Sequence, residues 1–281
     1  YATRLIIGAG IVPKEYATLD AAKTDVANIT VGDVLVLAGR VSAGDGGGGT
    51  WDAIAYTGLE NGYDTYDGDN TSVSFQLRTG DVINGKQIGM VGDWDGATGT
   101  DNSAAFDRAL ALAQGKTFLL PEGNYKVDGN HVAQCSIILQ HNAILTLAVA
   151  TGRNAAIKLT GFNRTVSGGG EIDGRYLENG QGLWLYDTRH TLITDITFKN
   201  CASAGVSLGT NATATVIDNC TFVGAGYNIL YNDAIKEEVE SDSGGSGVTI
   251  TNNTFYGDPN NAGATGEPGN AGKTNAISGD H

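Results

Sequence analysis

Two carboxyl groups, one protonated and one ionised, cleave glycosidic bonds when held about 5–5.5 Å apart for retention or 6.5–9.5 Å apart for inversion. The chain offers few groups of acidic residues that could meet this demand. Glu171 and Asp173 alternate around Ile172, Asp187 follows later, and Asp233, Glu237 and Glu238 lie in or beside the acidic stretch Asn232 to Ser246. Asp233, Glu237 and Asp173 are the candidate catalytic carboxylates. Crowding in Glu237-Glu238-Val239-Glu240-Ser241-Asp242 would raise one carboxyl pKa by like-charge repulsion, as a general acid needs. The same crowding also describes a charged exposed face, or a Ca²⁺ site built from hard oxygens. Ile172-Asp173-Gly174 suits a structural turn equally well. Asp64, Asp67, Asp69 and Asn70 have a calcium-like texture without the EF-hand spacing, and no cofactor is required by any motif.

Other chemistries find less support. β-Elimination would need Lys236, Arg175, Tyr231 or His190 as base, and nothing sets these apart; His190 reads equally as a surface histidine in a turn. A Ser-His-Asp esterase is unsupported: Gly205-Val206-Ser207-Leu208-Gly209 has the letters of G-x-S-x-G, but it lies in the repeating strand texture and no helix follows to make a nucleophile elbow. For binding, Leu183-Trp184-Leu185-Tyr186 sends Trp184 and Tyr186 to one face of a strand if the leucines face inward. Their flat rings could receive sugars or pack against a neighbouring protomer. Tyr227 and Tyr231 would extend that surface, so Trp184, Tyr186 and Tyr231 are the candidate binding residues.

The elements that must position these groups show in the composition. Glycine is unusually common, 42 of 281 residues, against 4 prolines. No G-X-Y period is present, so the excess points to tight turns between short strands. A net charge of −14 argues against nucleic acid, which needs a basic stripe, and against anionic membranes. It also means that an acidic polysaccharide would need local cationic relief. No apolar run is long enough for a membrane helix. Cys135, Cys201 and Cys220 form no metal or disulfide pattern and read as small core residues.

Three textures follow along the chain. Residues 1–90 alternate short apolar strings with glycine turns: strands at Val34–Leu37 and Ser74–Leu77, a short helix from Tyr16 to Ala27, and a flexible loop through Gly44-Asp45-Gly46-Gly47-Gly48-Gly49-Thr50-Trp51. A phosphate cradle fails there, since neither Lys-Ser/Thr nor a helix follows. Residues 91–127 carry a helix, Ser103 to Ala113, capped by Thr100-Asp101, with Phe106, Leu110 and Ala113 on one face. Strands at Thr117–Leu120 and Tyr125–Val127 follow it.

The remainder repeats. Leu192-Ile193-Thr194-Asp195-Ile196-Thr197-Phe198, Val216-Ile217-Asp218-Asn219-Cys220-Thr221-Phe222 and Thr249-Ile250-Thr251-Asn252-Asn253-Thr254-Phe255 share one pattern, spaced 24 and then 33 residues apart. The longer interval holds Asn232–Ser246, read as a loop insertion. Glu171-Ile172-Asp173, 21 residues before the Ile193 position, reads as a degenerate earlier copy. A second series runs Ile157, Leu183–Leu185, Val206–Leu208, Ile229, Ile277. This period, with Asx turns and β-branched residues, predicts a parallel β-helix rather than a leucine-rich repeat or a sandwich. Phe198, Phe222 and Phe255 would stack about 4.8 Å apart inside it. The helix before the coils would cap the open end. No second cap follows Ile277, so the chain is expected to be a processed piece, incomplete at its C-terminus, with site residues beyond residue 281.

The run from Gly92-Asp93-Trp94 to Ala104-Ala105-Phe106, followed by Leu119-Leu120-Pro121-Glu122-Gly123-Asn124-Tyr125, resembles the opening of pectate-lyase-like right-handed β-helix proteins, stretched around Trp94–Gly99. Upstream, Gly32-Asp33-Val34, the Gly44–Trp51 string and Ile83–Gly89 resemble the lead-in of bacteriophage tailspikes and capsule depolymerases. The motifs cover residues 16–127, and coil texture alone extends the likeness to 155–278. The resemblance implies a mostly β protein: a right-handed single-stranded parallel β-helix with an N-terminal capping helix and a small α+β adaptor or neck domain. Residues 1–90 would form the adaptor and 91–281 the cap and first coils. It further implies a homotrimeric, extracellular virion protein that joins a phage tail or baseplate protein through its N-terminal region. Such a protein binds, and usually cleaves, a bacterial surface polysaccharide. Hydrolysis is favoured over elimination because carboxylates outnumber plausible bases. A non-catalytic adhesin or fibre and a secreted bacterial polysaccharide lyase or hydrolase are the alternatives. Asn232-Asp233-Ala234-Ile235-Lys236 is similar to the Asp-x-Ile segment of polygalacturonase-type β-helices, but lacks their paired aspartates and Gly-His-Gly.

Overall fold

The computed structural model describes residues 12–148, 154–177, 180–224, 233–237, 247–256 and 275–278, with the backbone alone described for 154, 233–237 and 275–278. The chain divides into two units, residues 1–80 with 84–90, and residues 81–83 with 91–281.

The first unit is built on a five-stranded sheet in the order Lys14–Tyr16, Val34–Leu37, Gly49–Ala55, Val73–Leu77, Thr65–Asp67. Only the first pair is parallel. Alternation buries Trp51, Ala53, Phe75 and Leu77 on one face. The helix here is shorter than the sequence predicts, Leu19–Thr24, because Tyr16 is drawn into the sheet and Thr18 caps the helix by accepting from Ala21 N at 3.2 Å.

The glycine string is a fastened loop, not the flexible one its composition suggests. Asp45 gathers the backbone N–H groups of Arg40 (3.1 Å), Val41 (2.8 Å), Ser42 (3.1 Å) and Gly47 (2.7 Å). Only glycine fits at 48, where a Cβ would stand 2.5 Å from the Leu37 carbonyl oxygen. Partial burial pushes the Asp45 carboxyl up, but the four N–H donors outweigh it and hold it below the usual range. Stability from such a depressed carboxyl is present above its unfolded pKa and lost as pH falls through its folded one. Asp45→Ala should therefore destabilise the first unit by about 1–3 kcal/mol, most clearly at neutral pH and least in acid. Urea titrations across that range measure the difference.

The second unit is a parallel β-helix of three walls. Wall one runs from Val82–Asn84 through Thr117–Leu120, Ser136–Leu139, Thr165–Ser167, Leu192–Thr194 and Val216–Asp218 to Thr249–Thr251. Wall two stacks Gly123–Val127, Ala143–Leu147, Glu171–Asp173, Thr197–Lys199, Thr221–Val223 and Thr254–Tyr256. Wall three stacks His131–Ala133, Asn154–Phe162, Gly180–Arg189, Ala204–Leu208, Asp233–Glu237 and Asn275–Ser278. Equivalent side chains share one register along each wall, so Phe198, Phe222 and Phe255 form the expected ladder, with ring centroids 5.1 and 4.9 Å apart. The repeated Asx position is the corner between walls one and two. Asn142, Asp195, Asn219 and Asn252 all adopt positive φ there, which short polar side chains tolerate best.

The register corrects three expectations. Ile172 pairs with Phe198, so Glu171–Asp173 belongs to wall two; the partner of Ile193 is Val166. Ile235, not Ile229, continues the Val206 series, and Ile229 lies outside the described residues. Asp233–Glu237 is consequently a strand rather than part of an inserted loop. The helix spans Ser103–Leu112 with Asn102 at its N-cap, while Asp101 accepts from Ser103 N at 3.0 Å. Asn102 instead ties Val91, accepting its N–H at 2.7 Å. Phe106 packs on Phe118 and on buried His131, whose ring nitrogens lie 2.7 Å from Asp107 and 2.9 Å from Asp128. The three cysteines are free and buried, as small core residues should be.

Candidate functional site on the outer walls

Ile172 is fully buried, so alternation turns Glu171 and Asp173 to the outside of wall two. Two residues of strand rise separate their Cα atoms by about 6.6 Å, on one face of the wall. Lys199 stands beside Asp173 in register on the next coil and reaches Glu171, with Nζ 3.5 Å from Oε1. Burial pushes the Glu171 carboxyl above the ordinary carboxylate range; Lys199 opposes this and the charge of Asp173 adds to it. Asp173 Oδ1 accepts from Arg175 N at 2.8 Å and Asn200 Nδ2 at 3.0 Å, so it also pins the corner leading to wall three. The pair thus joins a carboxyl whose pKa burial raises to one whose oxygen accepts two N–H bonds. Two carboxyls in unlike environments are what general acid–base chemistry uses.

The stretched segment of the opening motif lies on the same wall. Asp93 bridges to Asn124 and Asp101 to Lys126, and the intervening residues bulge out. Asp95 shapes the bulge, accepting from Ala97 N at 2.8 Å and from Thr98 N at 2.6 Å. These bonds hold its carboxyl down to about 2. Trp94 is buried with Lys126 Nζ and the Arg175 guanidinium 5.3 and 5.2 Å from its ring.

Wall three carries the aromatic pair. Leu183 and Leu185 are fully buried, Trp184 is half-buried, and Tyr186 is 36% exposed. The two rings meet edge to face at 5.4 Å. Lys158, one coil earlier and in register with Trp184, places Nζ 4.4 Å from the Trp184 ring and 4.0 Å from that of Tyr186. Sequence reasoning passed over Lys158 and Lys199. Each stands 26 residues from its register partner, Trp184 and Asp173 respectively, and that spacing was the available signal.

The other candidates are dispersed. Asp233 and Glu237 lie on the wall-three strand, Glu237 in register with buried Leu208 and Asp233 two residues before Ile235, the partner of buried Val206. Both thus share the register of the inward row, and their side chains lie outside the described atoms. Tyr227, Tyr231 and Glu238 lie outside the described residues. His190 is exposed in a turn, at φ 55°. Among the described residues, no group of three or more His, Cys, Asp or Glu is arranged to hold a metal. In the calcium-like group, Asp64 accepts from Asn61 Nδ2 and Asp67 from Ser74 Oγ. No helix among the described residues is long and apolar enough to cross a membrane.

Comparison with solved structures returns the same architecture. The gp42 tailspike of Acinetobacter phage vb_AbaP_AS12 aligns with a TM-score of 0.55 at 14% identity, over 87% of this chain and 44% of that one. The enzymatically active domain of tailspike protein 2 from bacteriophage CBA120 aligns at 0.51 and 14%, over 87% and 40%. The chain therefore spans less than half the length of either tailspike. No match is found among curated proteins. The family model described as a right handed beta helix region matches residues 118–275. That match begins at the second strand of wall one and ends on the last strand of wall three, and the three parallel walls between are what it describes: the chain belongs to the right-handed β-helix family.

Proposed function

We propose that this chain belongs to a tailspike-type depolymerase that hydrolyses a bacterial surface polysaccharide. The observation that carries the reading is the outward carboxyl pair on wall two: Glu171, part-buried beside Lys199, and Asp173, which accepts from Arg175 N and Asn200 Nδ2. Glu171 is assigned as general acid and Asp173 as base or nucleophile. Asp233 and Glu237 keep a lesser claim, since their register is that of the inward row. The β-helix shared with two phage tailspikes, one of them described as an enzymatically active domain, supports placement in a virion. In this reading the molecule is a homotrimer, the first unit is the adaptor toward a tail or baseplate protein, and helix Ser103–Leu112 closes the solenoid.

One observation favours an adhesin on the same scaffold: Asp173 is engaged in fastening a corner, a structural task. Incubation with capsular and O-polysaccharides from a bacterial panel separates the two. Release of new reducing ends, lost in Asp173→Asn but kept in Asp233→Asn and Glu237→Gln, is the expected result. Unsaturated ends would replace hydrolysis with elimination. Binding with no cleavage anywhere in the panel would establish the adhesin.

A further inference from the structure

The turn that follows the carboxyl pair is built from unfavourable residues. Leu177 N donates to Gly174 O at 3.1 Å, closing a four-residue turn whose central residues, Arg175 and Tyr176, have φ of 53° and 56°. Turns with positive φ at both central positions are dominated by Gly, Asn and Asp, because a bulky side chain crowds its own backbone there. The rest of the protein follows this rule. Of thirteen non-glycine residues with positive φ among the described residues, ten are Asn, Asp or His, and Arg175 with Tyr176 is the one adjacent pair. Winding a coil does not demand the strain. An Asp bonded to the Asn of the next coil recurs at other corners, Asp195 with Asn219 at 2.6 Å and Asp218 with Asn252 at 2.8 Å, and no such adjacent pair follows either.

Strain of this kind persists only where the surroundings over-determine it. Here both side chains are anchored. The Arg175 guanidinium rests 5.2 Å from the ring of buried Trp94, with Nη2 3.5 Å from Gly96 O on the same bulge. The Tyr176 hydroxyl lies over Gly224, where a Cβ would stand 2.8 Å from it. The anchored turn aims two N–H groups. Arg175 N donates to Asp173 Oδ1 at 2.8 Å, and Tyr176 N to Asn200 O at 2.7 Å. Asn200 Nδ2 then donates to the same Asp173 oxygen at 3.0 Å, which closes a ring of bonds around that carboxylate.

We propose that Arg175 is a positioning residue: its side chain, clamped on the Trp94 bulge, holds the strained Gly174–Leu177 turn so that Asp173 keeps one orientation relative to Glu171. Tyr176 anchors the far side of the turn. This rests on the reading of Glu171 and Asp173 as the hydrolytic pair. It also gives a task to Trp94–Gly99, the segment by which the opening motif is stretched. Stability is given up for geometry, as strained active sites do.

Arg175→Gly and Arg175→Asn separate this role from a structural one. Both new side chains tolerate positive φ and both keep the backbone N–H, but neither reaches Trp94. Relief of strain should raise the melting temperature by about 2–4 °C. On a polysaccharide that the parent cleaves, kcat should nevertheless fall about 10–100-fold with KM near the parent value, since a misplacement of about 1 Å costs up to that much. Arg175→Lys, which keeps a cation for the ring, should lie between. A substrate-free readout runs alongside, the carbon-13 NMR titration of the Glu171 carboxyl in the full chain. Both variants should lower its midpoint, because an Asp173 charge no longer fixed beside Glu171 raises it less. An unmoved midpoint overturns the proposal whether or not the parent cleaves, and so does a melting temperature that falls in step with kcat. A lowered midpoint in a protein that cleaves nothing upholds the positioning and rejects the hydrolase. A lowered midpoint with kcat intact upholds the positioning and removes Asp173 from the chemistry.

Discussion

Glu171→Gln should lower polysaccharide cleavage by about 10²–10⁴-fold, the range that loss of a positioned general acid costs, while leaving glycan binding and melting temperature near the parent values. The amide keeps the shape of the carboxyl and removes the proton it must deliver. The pH dependence identifies the role. A general acid works in its protonated form, so activity should fall as pH rises through the raised Glu171 pKa. Lys199 opposes that elevation from 3.5 Å, so Lys199→Met should move the alkaline limb to higher pH. The charge of Asp173 contributes to the elevation, so whatever activity remains in Asp173→Asn should show its alkaline limb at lower pH. Opposite shifts from neighbouring substitutions would be hard to obtain from a merely structural carboxyl. A profile unmoved by either change would remove Glu171 from the mechanism.

Phe222→Ala should cost about 3–5 kcal/mol of stability, among the largest effects available in the solenoid. Its ring is almost fully buried and stacks on Phe198 and Phe255, so truncation leaves a cavity within a continuous column. The facing wall is shaped for this column. Gly182 and Gly205 stand opposite the rings, and a Cβ added to Gly205 would lie 2.7 Å from Phe222 Cδ1, closer than atoms can pack. Gly205→Ala should therefore destabilise by about 1–3 kcal/mol through overpacking. Combining it with Phe222→Leu should cost less than the sum of the two, because each change relieves the other. Urea unfolding of the single and double variants measures this directly. Simple additivity would mean that Gly205 and Phe222 do not share the space the geometry assigns them.

The repeat itself was open to sequence reasoning, for a physical reason. Each coil must supply its own inward residue to each wall, and each corner must be a residue that tolerates positive φ. Ile193, Ile217 and Ile250, the three phenylalanines, and Asp195, Asn219 and Asn252 are therefore local requirements written once per coil. Alternation likewise sufficed to turn Trp184 and Tyr186 outward.

The site was not legible in the same way. A three-residue strand such as Glu171-Ile172-Asp173 satisfies either wall by alternation, and only the pairing of Ile172 with Phe198 decides between them. The acidic run beginning at Asp233 has a loop's composition, yet joins wall three because a neighbouring strand lends it a ladder of hydrogen bonds. Asp45 looked like one residue of a glycine string until the fold brought four N–H groups to its carboxylate. Lys199 beside Glu171 and Lys158 on its two rings are contacts between successive coils, set by the number of residues each coil takes to return to the same wall. The chain alone determined that this protein winds, which residues it buries and where it turns. Which charges meet on the outside was decided only by the lateral stacking of coils whose unequal lengths the one-dimensional pattern does not resolve.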